Sequence, residues 1–129
     1  MSKKRELYSS GAEWEEIAGY SRAVRVGDRI EVSGTTAMVG GLLVGKGDIY
    51  LQTRTVLQII KKAIEELDGD IKDVVRTKMY VTDISQWESV AKAHGEMFSQ
   101  IRPASTMVEV SALIDPDLMV EIEASVIIS

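Results

Sequence analysis

Residues Arg102 to Ala124 read RPASTMVEVSALIDPDLMVEIEA. Pro103 forces a sharp start, because proline fixes its own backbone and restricts the residue before it. Two segments then alternate with period two, the pattern of half-buried strands. In the first, Thr106, Val108 and Val110 share one face, and Ser105, Met107 and Glu109 share the other. Asp115-Pro116-Asp117 supplies a turn. In the second, Leu118, Val120, Ile122, Ala124, Val126 and Ile128 form an apolar face, with Met119, Glu121, Glu123 and Ser125 on the reverse. The two segments together read as a closing hairpin. A lone strand glutamate ordinarily faces water. Glu109, Glu121 and Glu123 in one hairpin would instead line a shared polar cleft.

The elements before this stretch follow from the same periodicities. Arg5 to Tyr8 reads as a strand, and Ser9 to Gly19, with Trp14, as a loop or short turn. Tyr20 to Val26 and Arg29 to Thr35 read as a hairpin about Gly27-Asp28, with Tyr20, Arg22, Val24 and Val26 on one face. Ile49 to Leu67 carries Thr53, Val56, Leu57, Ile60, Ala63, Ile64 and Leu67 at helical spacing. Asp48 suits its N-cap and Asp68-Gly69 its stop. Ile71 to Thr82 reads as a strand, with Val75, Thr77, Met79 and Val81 alternating against Arg76, Lys78 and Tyr80. Asp83 to Ser85 opens a second helix, with Ser85 and Glu88 spaced as a capping box. Trp87, Val90, Ala91, His94, Met97 and Phe98 form its apolar stripe, and it must end before Arg102-Pro103.

The order is therefore strand, hairpin, helix, strand, helix, hairpin. The economical packing is α+β: a six-stranded, mostly antiparallel sheet with two helices on one face, in one domain spanning residues 1–129. The other face of that sheet stays uncovered. Met107, Met119 and Ile127 give it an apolar character that a second subunit should cover.

Composition narrows the function. The 129 residues carry 20 acidic and 15 basic side chains, a net charge of -5. Such a chain does not attract phosphate backbones without a basic patch. The run Lys3-Lys4-Arg5 is too short for one and reads as a solvated terminus. We therefore expect no nucleic-acid partner. There are no cysteines, which removes disulfides, thiolate metal sites and a cysteine nucleophile, and fits a reducing cytoplasm. No signal peptide is visible, and no apolar run reaches membrane-spanning length. One histidine without a cysteine or a second histidine makes no metal site, so neither metal nor cofactor is expected.

Thr35 to Asp48 is rich in glycine and contains Gly40-x-x-x-x-Gly45-Lys46. A phosphate-binding loop needs Ser or Thr next, to hold magnesium, and Gly47 stands there. The segment reads as a mobile loop lining something else.

Several of these motifs fall together in one known pattern. The run P-A-x-T-x-V-E-V from Pro103, followed by V-E-I-E-A from Val120, resembles the closing signature of the RidA/YjgF family of reactive-intermediate deaminases, which includes proteins called L-PSP endoribonucleases. Gly19-Tyr20-Ser21, Val32-Ser33-Gly34, the helix from Gln52 to Leu67, Asp73-Val74-Val75 and Val81-Thr82-Asp83 fall in the family's order across nearly the whole chain. The resemblance implies a chorismate-mutase-like fold. It also implies a homotrimer with a small-molecule cleft at each subunit boundary. It assigns to that cleft Tyr20, Ser33 and Glu121, with Glu121 holding the attacking water. The imine-hydrolysing branch has an Arg at the position of Ser105, a planar fork for a substrate carboxylate. Its Cys is Met107 here, and its helix Asn is Ala91.

An uncharged hydroxyl cannot replace that guanidinium. Arg22 shares a strand face with Tyr20 and is a candidate replacement, against the plainer reading of a surface arginine. His94 lies on the helix stripe, as a satisfied core histidine or as a cleft residue that titrates near neutral pH. Ser105 and Glu121 facing different spaces would undo this site.

Three functions follow. The first is a hydrolase acting on a reactive imine or enamine, with Glu121 as the water-positioning base and Tyr20, Arg22, Ser33, His94, Ser105 and Met107 around the ligand. It would not be an ordinary 2-imino acid deaminase. The second is a non-catalytic trimer that binds a metabolite. The third is a ribonuclease, which nothing in the composition supports.

Overall fold

The computed structural model describes residues 4–129, so Lys3 of the basic run lies outside the described residues. A six-stranded sheet runs in the order β1 (Arg5–Tyr8), β2 (Ala23–Val26), β3 (Arg29–Thr35), β8 (Val120–Ile127), β6 (Val74–Val81), β7 (Ala104–Glu109). All neighbours are antiparallel except β6 and β7, which are parallel. The helices α2 (Ile49–Glu66) and α3 (Trp87–Phe98) pack on one face of this sheet. The expected α+β class and helix placement are what the chain adopts.

The closing hairpin does not form. Strand β6 lies between β7 and β8, pairing Thr77 with Ser105 on one side and with Ala124 on the other. The β6–α3–β7 segment is a crossover unit, which is how parallel neighbours must be joined. Strand β8 is then left to fill the central position between β3 and β6. Every residue on its inward face is buried, from Val120 through Ile122 and Ala124 to Val126. Ile122 has no exposure at all, and truncating it to Ala would cost about 2–5 kcal/mol.

Local chemistry sets the element ends. The Asp48 carboxylate accepts from the Leu51 N–H at 3.0 Å and caps α2. At the other end Asp68, not Gly69, takes the left-handed conformation (φ 61°). Gly69 is needed for space instead, since a Cβ there would press into Ile30 and Ile64. The segment Ser9 to Gly19 is more ordered than expected. It holds a short helix, α1 (Glu13–Ala18), with acidic residues in its first turn and Gly19 as a left-handed C-cap. The expected Ser85–Glu88 capping box is absent. Asp83 instead caps a 3-10 turn at Ile84–Gln86 and accepts from both the N–H and the hydroxyl of Ser85.

The glycine-rich loop carries its own small hairpin, β4 (Met38–Val39) and β5 (Leu42–Leu43). Its turn is Gly40-Gly41, both at positive φ, as a tight two-residue turn demands. Gln52 pins the loop: its amide donates to the carbonyls of Gly45 and Asp117, and its oxygen accepts from the Met119 N–H.

Two face assignments change. An irregularity between Val74 and Arg76 turns Val74 inward and leaves Val75 exposed. Trp87, expected on the α3 stripe, is 52% exposed; Val90, Ala93 and Phe98 are the buried residues of that helix. The uncovered sheet face is real, but Met107 and Met119 do not furnish it. Both pack against the core, whereas Ile127 is exposed.

Candidate functional site

The site residues expected from sequence fall into two groups, one on each face of the sheet. On the open face, β3 is irregular between Val32 and Thr35, where its register against β8 shifts. Gly34 sits at that irregularity, and the Glu121 carboxylate lies against it: a Cβ on Gly34 would collide with the Glu121 oxygen. Burial raises the pKa of Glu121; the Arg22 charge opposes this and the Glu123 charge adds to it.

Arg22 is not a surface residue, being 6% exposed. Its Nη1 donates to the Gly34 carbonyl at 2.7 Å and to the Thr35 hydroxyl at 2.8 Å. Its Nε lies 3.7 Å from the Glu15 carboxylate and makes no hydrogen bond. Its guanidinium carbon sits 5.7 Å from the centre of the Tyr20 ring, within range of a cation–π attraction. Ser33 flanks the group, its hydroxyl donating to the Ser21 carbonyl at 2.6 Å.

Glu15 is the residue that sequence reasoning missed on this side. It is buried and accepts from the Ser10 hydroxyl and backbone N–H. Burial alone would raise its pKa, but the hydrogen bonds from Ser10 and Ser9 and the Arg22 charge together hold it low. Its signal was the alternation of acids and apolar residues in Glu13-Trp14-Glu15-Glu16-Ile17, which a loop would not need.

On the helix face, Ser105 pairs across from Thr77, and Met107 from Met79. The Ser105 hydroxyl lies 2.8 Å from the Thr77 hydroxyl, and the same Thr77 oxygen lies 2.9 Å from His94 Nε2. Thr77 is fully buried, and the His94 ring stacks at a tilt against Phe98, 4.6 Å between centres. Burial lowers the His94 pKa, which favours the neutral imidazole. Thr77 was legible as an inward-facing residue, but its polar partners were not.

Tyr20, Arg22 and Glu121 are thus brought together with Gly34, and Ser105 with His94; Met107 shares the face of the latter pair. Ser105 and Glu121 face different spaces, because Glu121 pairs with Tyr80 and Ser105 with Thr77, successive faces of β6. That undoes the expected site within a single chain: one chain by itself does not form a cleft containing both. Glu109 is removed from the carboxylate group as well, accepting from the Ile84 N–H at 3.0 Å. Glu123 accepts from the Tyr80 hydroxyl at 3.1 Å and lies 3.9 Å from Lys78. Two grooves are present, the first away from both groups and the second reaching Ser33 and Glu123. One of about 550 Å³ separates α2 from α3 beside Tyr50 and Arg54, and one of about 500 Å³ crosses the open face beside Glu31 and Lys78. Among the described residues no cluster of His, Cys, Asp and Glu could hold a metal, and no helix is long and apolar enough to cross a membrane.

This strand order, with the glutamate on β8 set against the Ser-Gly of β3, carries the family motifs as a single arrangement. The family model described as Endoribonuclease L-PSP matches residues 11–128. The chain belongs to the RidA/YjgF family. A crystal structure of Rv2704 from Mycobacterium tuberculosis, described as a member of the YjgF/YER057c/UK114 family, is 47% identical, with a TM-score of 0.90 over 97% of this chain and 100% of that one. An uncharacterized protein of Streptomyces coelicolor, SCO2049, is 40% identical over 88% of this chain and 85% of its own length. The 3-aminoacrylate deaminase RutC of Acinetobacter baylyi is 31% identical over 82% and 84% respectively.

Proposed function

We propose that this RidA/YjgF protein is a cytoplasmic hydrolase of a reactive imine or enamine, working at clefts between the subunits of a homotrimer. The observation that carries the reading is Glu121: a half-buried carboxylate with a raised pKa, seated on Gly34 beside the buried Arg22. A carboxylate in that state is a base suited to take a proton from water near neutral pH. The uncovered sheet face that carries it supports assembly, since a lone subunit leaves Tyr20, Val108 and Ile127 exposed. A ring of subunits would set the Glu121 face of one chain against the Ser105 edge of the next, which reconciles the two groups in one cleft. The relative named 3-aminoacrylate deaminase acts, by that name, on an enamine.

Ser105 limits the substrate. It offers no positive charge for a carboxylate, and Arg22 has its Nη1 committed to Gly34 and Thr35. The ligand is therefore not an ordinary 2-imino acid. The same absence favours a second reading, a trimer that binds a metabolite without turning it over. Ribonuclease activity has the least support, given the net charge of -5.

The test is imine hydrolysis. Imines and enamines with and without a carboxylate would be generated in place by an oxidase, and their decay followed for the wild type and Glu121→Ala. Decay of the uncharged imines that is lost in Glu121→Ala supports the hydrolase. An inert wild type that nevertheless binds the corresponding carbonyl compounds moves the assignment to the binding protein.

A further inference from the structure

Three residues on the helix face form a continuous hydrogen-bonded line that the hydrolase reading leaves unused. Ser105 lies on the exposed edge strand, Thr77 in the fully buried centre, and His94 on the half-buried flank of α3. Oxygen to oxygen is 2.8 Å and oxygen to Nε2 is 2.9 Å. Thr77 is buried and its hydroxyl meets no third partner among the described residues, so its one hydrogen goes to Ser105 or to His94 and the other bond is accepted, which makes the two run in the same direction. Either Ser105 donates inward and Nε2 accepts, or Nε2–H donates outward and Ser105 presents its hydrogen to the cleft.

We infer that Ser105, Thr77 and His94 are a proton wire joining the cleft to a half-buried imidazole. The inference rests on the hydrolase reading for its ligand, but not for its geometry. A ligand proton passes to the Ser105 oxygen as the Ser105 proton passes to Thr77 and the Thr77 proton to His94 Nε2. Each hydroxyl keeps one hydrogen but both bonds now run outward, the ligand is one proton lighter, and His94 becomes imidazolium. The reverse passage restores it.

In imine hydrolysis the wire has a defined place. Water adds to the protonated imine carbon as Glu121 of the adjoining subunit takes its proton, giving a neutral carbinolamine. Glu121 returns that proton to the nitrogen. The C–N bond breaks with its electron pair on nitrogen and ammonia leaves. The carbinolamine O–H proton travels down the wire to His94, leaving the carbonyl product. The charge of the protonated imine ends on His94.

No charge contributes to the shift of this histidine, and Arg54 and Lys61 of α2 line the groove beside Glu96 and Met97. On its own helix, Lys92 lies over the Tyr50 ring and Glu96 accepts from the Tyr50 hydroxyl. On β6, Arg76 and Lys78 point to the opposite face. On β7, Glu109 shares the face but is tied to the Ile84 N–H. Burial is the cause of its lowered pKa.

Two measurements test the wire. The first needs no ligand: His94 is titrated by imidazole NMR in the wild type, Ser105→Ala, Thr77→Val and the double variant. The wire predicts that Ser105→Ala moves the His94 titration when Thr77 is present and has no effect when it is Val. An unmoved titration in Ser105→Ala overturns the wire. The second is kinetic. Thr77→Val should lower kcat about a hundredfold with KM unchanged, and Thr77→Ser should restore most of it. Full activity in Thr77→Val, at every pH where the wild type works, overturns its catalytic use. A wild type inert on all imines, with His94 still coupled to Ser105, sinks the hydrolase and supports the wire as the path for a different ligand's proton.

Discussion

Ser105 and Glu121 stand on opposite faces of one sheet, each fixed by its partner on β6: Thr77 for Ser105 and Tyr80 for Glu121. A cleft that uses both must take them from two chains. Mixing tests this directly. Glu121→Gln and Ser105→Trp, each inactive alone, should recover about a quarter of wild-type activity after random reassembly, because a quarter of the boundaries then join two intact halves in a cyclic ring. Recovery of nothing would place the working groups within one chain.

Glu121 is held against its ionisation preference. Its folded pKa is raised, so the folded chain binds this proton more tightly than the unfolded chain does. Ionisation then weakens the fold as pH rises past that pKa. Glu121→Gln, which mimics the protonated form, should raise Tm at pH 7. The gain should shrink as pH falls and be gone below the ordinary value of 4.5. The same variant should lose at least about a hundredfold in kcat/KM. Wild-type activity should fall on the acid side as the carboxylate protonates. Thermal melts and rate profiles across pH check both statements.

Arg22 joins α1 to the sheet face that carries Glu121. Arg22→Met would leave the Gly34 carbonyl and the Thr35 hydroxyl without their buried donor, and the buried Glu15 carboxylate without its opposing charge. Breaking a buried pair in this way costs about 3–5 kcal/mol, measurable by urea unfolding. It also removes the charge that lowers the Glu121 pKa, so the acid limb of the rate profile should move to higher pH. A limb that stays in place would show that Arg22 does not act on Glu121.

Gly34→Ala separates activity from stability. The added methyl meets the far end of a flexible side chain, which can swing away cheaply. Unfolding free energy should change by less than about 1.5 kcal/mol. Turnover should nonetheless drop sharply, because the base has left its seat.

Ser105→Arg should create what the chain lacks. A guanidinium on the exposed edge of β7 can fork onto a carboxylate. Hydrolysis of 2-imino acids should appear in this variant and depend on Glu121. Failure to gain it, with the variant folded, would show that the edge strand is not the ligand's carboxylate subsite.

Much of the fold was legible because burial writes itself as periodicity. Strand β8 and helix α2 declare their inward faces residue by residue. What periodicity does not encode is which strand lies beside which. Strands β7 and β8 are successive, and a turn lies between them, so a hairpin was the local reading. The crossover through α3 and the central place of β8 are long-range choices. The same limit displaced Val75, since one irregularity in β6 reverses the faces before Arg76. In the site, Tyr20, Arg22 and Glu121 were readable by type and position. The burial of Arg22 was not, because its partner Glu15 lay in a segment read as a loop. Thr77 was readable as core but not as a bridge between two polar groups.

The β6–α3–β7 unit holds Ser105, Thr77 and His94, while β2, β3 and β8 hold Arg22, Gly34 and Glu121. The first trio is held by hydrogen bonds, the second by the Arg22–Gly34 hydrogen bond and the packing of Glu121 on Gly34, each within its own block. Descent with modification can therefore rewrite one block and leave the other untouched. A lineage could change the edge strand that carries Ser105 by substitutions there alone, while inheriting the Glu121 floor intact.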